Sequence, residues 1–277
     1  MKLVYLGTPE MAVPPLRALV DHGHEVVLVV TRADKRRGRG SAMSPSPVKA
    51  AALELGLRVS HSVDDVVAVV HDDAVELGVV VAFGQIIKPH VLDVLPMVNL
   101  HFSLLPRWRG AAPVERALLA GDDVTGVCVM AVEEGLDTGG VYARSEVTIG
   151  AETTASELRS ELVDVGTTLL VETLARPLGE WIDHPEPQAG EITYAAKFTS
   201  DDFEIDWSLP APDVHRLIRV GGAWTTFRGK RLKILQARLV DDRVVPVTVQ
   251  PEGKPAMAFE AWRNGARPAA DELFGGR

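Results

Sequence analysis

Apolar positions in the first 180 residues fall into short runs separated by amphipathic stretches, and that alternation sets the expected fold. "KLVYLG" ends at Gly7, an amphipathic segment covers 13–22, and the run "EVVLVV" follows. Short apolar runs bounded by turn residues read as strands, and a 3.6-residue period between them reads as helix. The pattern continues through the helix "PVKAAALELG", the weaker strand "LRVSH", a mixed helix ending near Val75 and the apolar run "GVVVAFG". A short helix, the strand "MVNLHF", a helix starting near Pro113, the strand "TGVCVMAV" and the Gly-rich "EEGLDTGG" come next. Strands apolar on both faces must be covered by helices on both sides, which predicts an α/β fold with a doubly wound, mostly parallel sheet. "VYARSEVTI" alternates polar and apolar residues, as an edge strand does, and "TTASELRSELVDVGTTLLVETL" reads as a long amphipathic helix capped by Thr153 or Thr154.

The texture changes at "ARPLGEWIDHPEPQAGE", which is dense in Pro, Gly and acidic residues. The expected division is therefore a large domain at 1–176, a linker at 177–195 and a small domain at 196–277. Within the last part "APDVHRLIRV" reads as a helix, and "RLKILQARLV" and "RVVPVTVQ" read as strands of a small, mostly β appendage.

Composition narrows the class without choosing a function. Of the 277 residues 46% are apolar and 24% charged, which fits a soluble globular chain. No apolar stretch approaches the roughly 20 residues of a membrane helix, and the N-terminus lacks signal-peptide architecture, so a cytoplasmic protein with no membrane partner is expected. The net charge of −9 opposes non-specific coating of nucleic acid. One basic loop departs from that balance, with Arg32, Lys35, Arg36, Arg37 and Arg39 close together. A solvated loop and a phosphate-binding patch suit it equally. Cys128, the single cysteine, lies in the apolar "GVCVMAV" and reads as a buried structural thiol without a disulfide partner. The eight His are scattered away from zinc-ligand spacings, so no metal is expected. Glycine cradles for dinucleotides or triphosphates and a Gly-x-Ser-x-Gly elbow do not occur in the sequence.

Ligands of open α/β sheets bind beyond the carboxyl ends of the strands, so polar residues leaving an apolar strand carry most weight. Asn99 and His101 are two apart and therefore share a face, where an amide donor and an imidazole can converge on one small group. A lone strand-end His is more often structural than catalytic. Asp137, between Gly135 and Gly139-Gly140, is by itself an ordinary turn motif. Together the two sites gain meaning, because neighbouring strand ends could bring the carboxylate to the imidazole, orient it and favour its charged form. An oxyanion donor, a proton carrier and an electrostatic partner suit acyl transfer without a covalent enzyme nucleophile.

Five motifs, "LGTPEMAVPPLRAL", "GRGSAMSPSPVKAAALELGL", "VVVAFGQIIKP", "VNLHFSLLPRWRGAAPVERAL" and "TGVCVMAVEEGLDTGG", occur in this order. The set resembles the folate-dependent formyltransferases, and the run "PRWRGAAP" resembles the methionyl-tRNA formyltransferase branch most; "ITYAAKFTSDDFEIDWS" is similar to the entry into that family's second domain. The resemblance implies a Rossmann-like formyltransferase fold and transfer of the formyl group of 10-formyltetrahydrofolate to the methionine α-amino group on charged initiator tRNA. It assigns the chemistry to Asn99, His101 and Asp137. It places folate against Val81, Ala82, Phe83, Gly84, Gln85, Ile86 and Ile87, with Ser103 and Leu104. The tRNA would meet Arg36, Arg37 and Arg39 of the basic loop and Lys197 at the linker. Arg107 and Arg109 suit either substrate contacts or anchoring of their own loop on nearby acids. Few residues follow "RLKILQARLV", so the second domain is expected as a truncated oligonucleotide-binding-type barrel, and the protein as a monomer. Three alternatives stay open: another amine acceptor such as an amino sugar nucleotide, hydrolysis of formyltetrahydrofolate, and a catalytically silent folate- or RNA-binding module.

Overall fold

A computed structural model describes residues 1–36, 43–269 and 274–275. In chain order its strands are β1 (Lys2–Gly7), β2 (Glu25–Val30), β3 (Lys35–Arg36), β4 (Met43–Ser44), β5 (Val59–Ser60), β6 (Leu77–Val81), β7 (Met97–His101), β8 (Arg109–Gly110), β9 (Val124–Ala131), β10 (Val141–Thr148), β11 (Tyr194–Ala195), β12 (Trp224–Phe227), β13 (Lys230–Val240), β14 (Arg243–Pro251) and β15 (Met257–Ala258). The helices are α1 (Val13–Asp21), α2 (Pro47–Glu54), α3 (Asp65–Asp73), α4 (Pro89–Leu92), α5 (Pro113–Ala120), α6 (Ala155–Leu174), α7 (Ala211–Val220) and α8 (Phe259–Ala266). They form two compact units. The first comprises Met1–Pro113, Val124–Thr148 and Arg159–Ala195, and the second Val114–Asp123, Ile149–Leu158 and Ala196–Arg277. No described helix is long and apolar enough to cross a membrane.

The first unit carries a seven-stranded sheet in the order β10-β9-β7-β6-β1-β2-β5. The five strands from β7 to β5 are parallel, β9 pairs antiparallel with β7, and β10 pairs antiparallel with β9. This is the mostly parallel α/β sheet expected from the sequence. The continuous apolar runs are the central strands: Leu3, Val4, Tyr5 and Leu6 of β1 have no exposed surface. The alternating "VYARSEVT" is the antiparallel edge strand β10, on which Arg144, Glu146 and Thr148 are exposed. On one face α6 lies close over the sheet, where a Cβ on Gly166 would sit 3.2 Å from Leu100 of β7 and 3.4 Å from Val127 of β9. The chain runs outward from β1 to β2 and β5, then returns to β6 on the other side. In open α/β sheets ligands bind at such a reversal, which here falls at the carboxyl ends of β1 and β6. Residues 177–195 pack onto this unit: Trp181 is buried and meets Tyr142 edge-on at 4.9 Å, and Glu186 exchanges backbone hydrogen bonds of 2.9 and 2.7 Å with Val141.

In the second unit β12-β13-β14-β15 form an antiparallel sheet with its core around Val214, Ile218, Ile234, Val249 and Trp262. Among the described residues this sheet has four strands, against the five of an oligonucleotide-binding barrel. Helix α6 begins here with a reciprocal cap. Thr154 Oγ1 accepts the Glu157 N–H at 3.3 Å, and Glu157 Oε2 accepts the Thr154 N–H at 2.9 Å and hydroxyl at 2.7 Å. Thr153 instead accepts the Gly150 N–H at 3.1 Å, which settles the choice of cap left open by the sequence. The bonds from Thr154 hold the Glu157 carboxyl below its ordinary pKa. A depressed carboxylate contributes stability above its unfolded pKa and loses that contribution as pH falls through the folded value. Thr154→Ala is therefore expected to lower Tm by about 2–4 °C at neutral pH. The gap to the parent should narrow below the carboxylate range, as thermal melts at pH 7 and pH 3 would read.

Candidate active site

Strand β7 delivers two polar side chains to the carboxyl edge of the sheet. Side chains alternate along a strand, so with Leu100 turned toward Gly166 of α6, Asn99 and His101 share the opposite face. Their antiparallel neighbours on β9 are Met130 and Cys128. Cys128 has no exposed surface, and burial pushes its thiol pKa up, so it fills the cluster with Leu105, Met130 and Val141 as a structural residue. His101 is 5% exposed. Its Nε2 lies 3.0 Å from the carbonyl oxygen of Trp108, which can only accept, so Nε2 carries the hydrogen. Its Nδ1 lies 3.7 Å from Asp137 Oδ2. Each ring nitrogen thus faces an oxygen.

Asp137 comes from the turn between β9 and β10, at φ +51°. The turn is tight because its neighbours are small: a Cβ on Gly139 would run into the carbonyl oxygen of Ala131. The carboxylate is also tied to the loop after β7, since Oδ2 accepts the Gly110 N–H at 2.7 Å. His101 and Asp137, predicted from separate motifs, therefore meet. Asn99 stands two residues before the imidazole on its face of the strand.

The loop after β7 is braced from within and from outside. The Ser103 hydroxyl donates to the Arg107 carbonyl at 2.6 Å, the Leu105–Pro106 peptide is cis, and the Arg107 guanidinium lies 4.5 Å from the centre of the Trp108 ring. Trp108, at φ +64°, donates its N–H to Thr193 Oγ1 at 2.9 Å. Arg109 is 8% exposed and places Nε and an η nitrogen 3.0 and 2.6 Å from Gln188 Oε1. Its anchor is an amide, not the acid that the sequence suggested. Gln188 in turn donates Nε2 to the carbonyls of Asp137 at 2.9 Å and Gly139 at 2.7 Å. Gln188 and Thr193 were missed by sequence reasoning, because nothing local to the Pro- and Gly-rich stretch that holds Gln188 signals a distant partner.

The segment Val81 to Ile87 leaves β6 beside the reversal of strand order. Thr8, just after β1, donates its hydroxyl to the Phe83 carbonyl at 3.3 Å and links the two strand ends. Val81 and Phe83 are buried, whereas Gly84, Gln85 and Ile86 are exposed, Ile86 to 87%. Ala82 and Gly84 adopt φ of +46° and +72°, and Ile87 packs partly against the core. At the far end Lys88 and His90 hold Asp64 at 3.1 and 2.9 Å, and their hydrogen bonds, that of Lys88 first, keep its carboxyl below the usual range. Ser103 has no exposed surface and Leu104 is half-buried, so both lie inside their loop.

The residues expected to meet tRNA come from separate segments of the chain. Arg36 is exposed on β3, which pairs antiparallel with β4, and Arg37 and Arg39 lie outside the described residues. Arg107 is half-buried, and Lys197 is exposed on the second unit. Among the described residues no group of three or more His, Cys, Asp or Glu side chains is placed to hold a metal ion. Chemically, an imidazole between a carboxylate and a carbonyl, with an amide on the same strand face, can polarise a carbonyl and move a proton.

Comparison with known proteins shows what the chain is similar to. Residues 1–174 match the "Formyl transferase" family and residues 197–246 its "Formyl transferase, C-terminal domain". Methionyl-tRNA formyltransferase of Roseobacter denitrificans is 46% identical over 90% of this chain and 85% of its own. Among solved structures, methionyl-tRNA formyltransferase from Clostridium thermocellum superposes with a TM-score of 0.62 at 15% identity, covering 91% of this chain and 98% of its own. The N-formyltransferase from Helicobacter canadensis, in complex with folinic acid and dTDP-3-aminofucose, gives 0.67 at 18% identity over 87% and 88% of the two chains. With both domain matches in chain order and close relatives matched over most of their length, the chain belongs to the methionyl-tRNA formyltransferase family, whose members are formyl-transferring enzymes.

Proposed function

We propose that this enzyme transfers the formyl group of 10-formyltetrahydrofolate to the α-amino group of methionine on initiator tRNA, with Asn99, His101 and Asp137 as the reacting centre. The observation that carries the reading is the 3.7 Å approach of the His101 imidazole to Asp137 at the edge of the sheet, with Asn99 on the same strand face. The neutral amine attacks the formyl carbon, and a tetrahedral oxyanion forms. Asn99 and His101 donate to that oxygen, and the Nε2–H bond to Trp108 is the one the substrate oxygen must replace. Asp137 holds the ring and, with it, takes charge of the proton leaving the amine. Collapse breaks the bond to the folate N10, which takes up a proton.

Folate is assigned to Val81 through Ile87 because the loop lies at the reversal of strand order and presents Ile86 uncovered, an apolar surface suited to a flat heterocycle. Ser103 and Leu104 support that pocket from inside their loop. The acceptor stem is assigned to Arg36, Arg37, Arg39 and Lys197, with Arg107 at the rim. The domain division at 1–176, 177–195 and 196–277 belongs to this reading, as does a metal-free, monomeric cytoplasmic enzyme.

The tRNA assignment is tested by salt. Affinity for initiator tRNA should fall as salt rises, and changing Arg36, Arg37 and Arg39 together to Ala should weaken binding and lower the log–log slope by about one for each phosphate no longer neutralised. Hydrolysis of bare formyltetrahydrofolate should be nearly unchanged. Parent-like formylation by the triple variant would remove the basic loop from the acceptor site.

A further inference from the structure

We infer that Gln188 is a positioning residue for formyl transfer, acting through the backbone of the Asp137 turn and through Arg109. The inference rests on the assignment of His101 and Asp137 to catalysis and extends it to a side chain about fifty residues away in the chain. Gln188 uses its whole amide. Its two hydrogens reach the carbonyls of Asp137 and Gly139 at 2.9 and 2.7 Å, and its oxygen accepts from two nitrogens of Arg109 at 3.0 and 2.6 Å.

These four bonds join the two segments whose relative position sets the reacting pair. One is the Asp137 turn. The other is Trp108–Gly110, which supplies the oxygen facing His101 Nε2 and the N–H held by Asp137 Oδ2. The second segment is further pinned by the Arg109 N–H on the Thr193 carbonyl at 2.9 Å and by the parallel pairing of β8 with β11. Arg109 is buried, so its charge requires an acceptor, and Gln188 Oε1 supplies it. The hydrogen bonds of Gln188 go to Asp137, Gly139 and Arg109 and reach His101 only through them. Its effect is geometric.

Donor and acceptor roles can be separated by substitution. Gln188→Glu keeps an acceptor for Arg109, as an ion pair, but loses both hydrogens that hold the turn. Gln188→Ala loses both functions. Displacements of about 1 Å at a reacting centre can cost about 100-fold in rate, so kcat for charged initiator tRNA should fall about 30- to 100-fold in each variant, with KM for 10-formyltetrahydrofolate changed less than about threefold. Gln188→Glu should melt close to the parent, which distinguishes misplacement from unfolding and keeps the test decisive if Gln188→Ala does not fold.

Asp137→Asn supplies the reference. If Gln188 acts through Asp137, adding Gln188→Glu to Asp137→Asn should cost less than about threefold further. Full additivity of the two substitutions, or a parent-like kcat in a folded Gln188→Glu alongside an impaired Asp137→Asn, overturns the positioning role while leaving the catalytic assignment standing. Parent-like turnover in Asp137→Asn overturns both.

Discussion

Replacing His101 by alanine is expected to lower kcat about 100-fold or more while leaving the affinity for folate nearly unchanged, because both oxyanion donation and proton transfer act on the transition state. The geometry makes this a specific expectation. The imidazole is 5% exposed, its nitrogens face Trp108 and Asp137 oxygens, and it is built into the end of a central strand rather than a mobile loop. Asn99→Ala should lose a comparable factor for the same reason, with only one of the two roles involved. Single-turnover rates at saturating donor, together with equilibrium binding of tetrahydrofolate, separate the two parameters. A His101→Ala enzyme with unimpaired turnover would leave the polar end of β7 without a catalytic purpose.

The second large effect concerns backbone space. Gly139→Ala places a Cβ against the carbonyl oxygen of Ala131, where β9 ends, and no rotamer change can relieve a clash with main chain. The turn must move. That turn carries Asp137 and the two carbonyls held by Gln188, so stability and rate should fall together: about 2–4 kcal/mol in unfolding free energy and about 100-fold in kcat. Gly84→Ala is the informative comparison. Gly84 has φ +72° but nothing within 4 Å of an added Cβ, so only the left-handed conformation is penalised, by about 1–2 kcal/mol. Urea denaturation of both variants ranks them. Equal stability would mean that the close approach at Gly139 is dispensable.

The sheet was readable because its information is local and periodic. Residues of "KLVYLG" and "GVVVAFG" are apolar on both faces, as buried parallel strands require, and the alternation in "VYARSEVT" marks the strand that the fold leaves at the edge. The cap of α6 was readable to within one residue, because Thr153 and Thr154 both offer hydroxyls, of which one accepts from the Gly150 N–H while the other pairs with Glu157. His101 and Asp137 were each legible at a strand end or in a Gly-rich turn, but their approach depends on β9 pairing with β7, a consequence of topology. Gln188 lay beyond reach. Its segment has boundary composition, and its amide becomes meaningful only once Asp137, Gly139 and Arg109 are gathered around it. Arg109 shows the same limit, since its sequence suits ligand contact and anchoring on an acid equally, and its buried guanidinium is held by the Gln188 amide.

The most direct measurement incubates the enzyme with 10-formyltetrahydrofolate and, in separate reactions, charged initiator tRNA, an amino sugar nucleotide or water alone, following tetrahydrofolate release and the formylated product together. Methionyl-tRNA should release tetrahydrofolate and gain a formyl group in equal amounts, at a rate far above the other two reactions, and both signals should collapse in His101→Ala. Release that is fastest with the amino sugar nucleotide, or that proceeds in water without formyl-methionyl-tRNA appearing, would contradict tRNA as the acceptor.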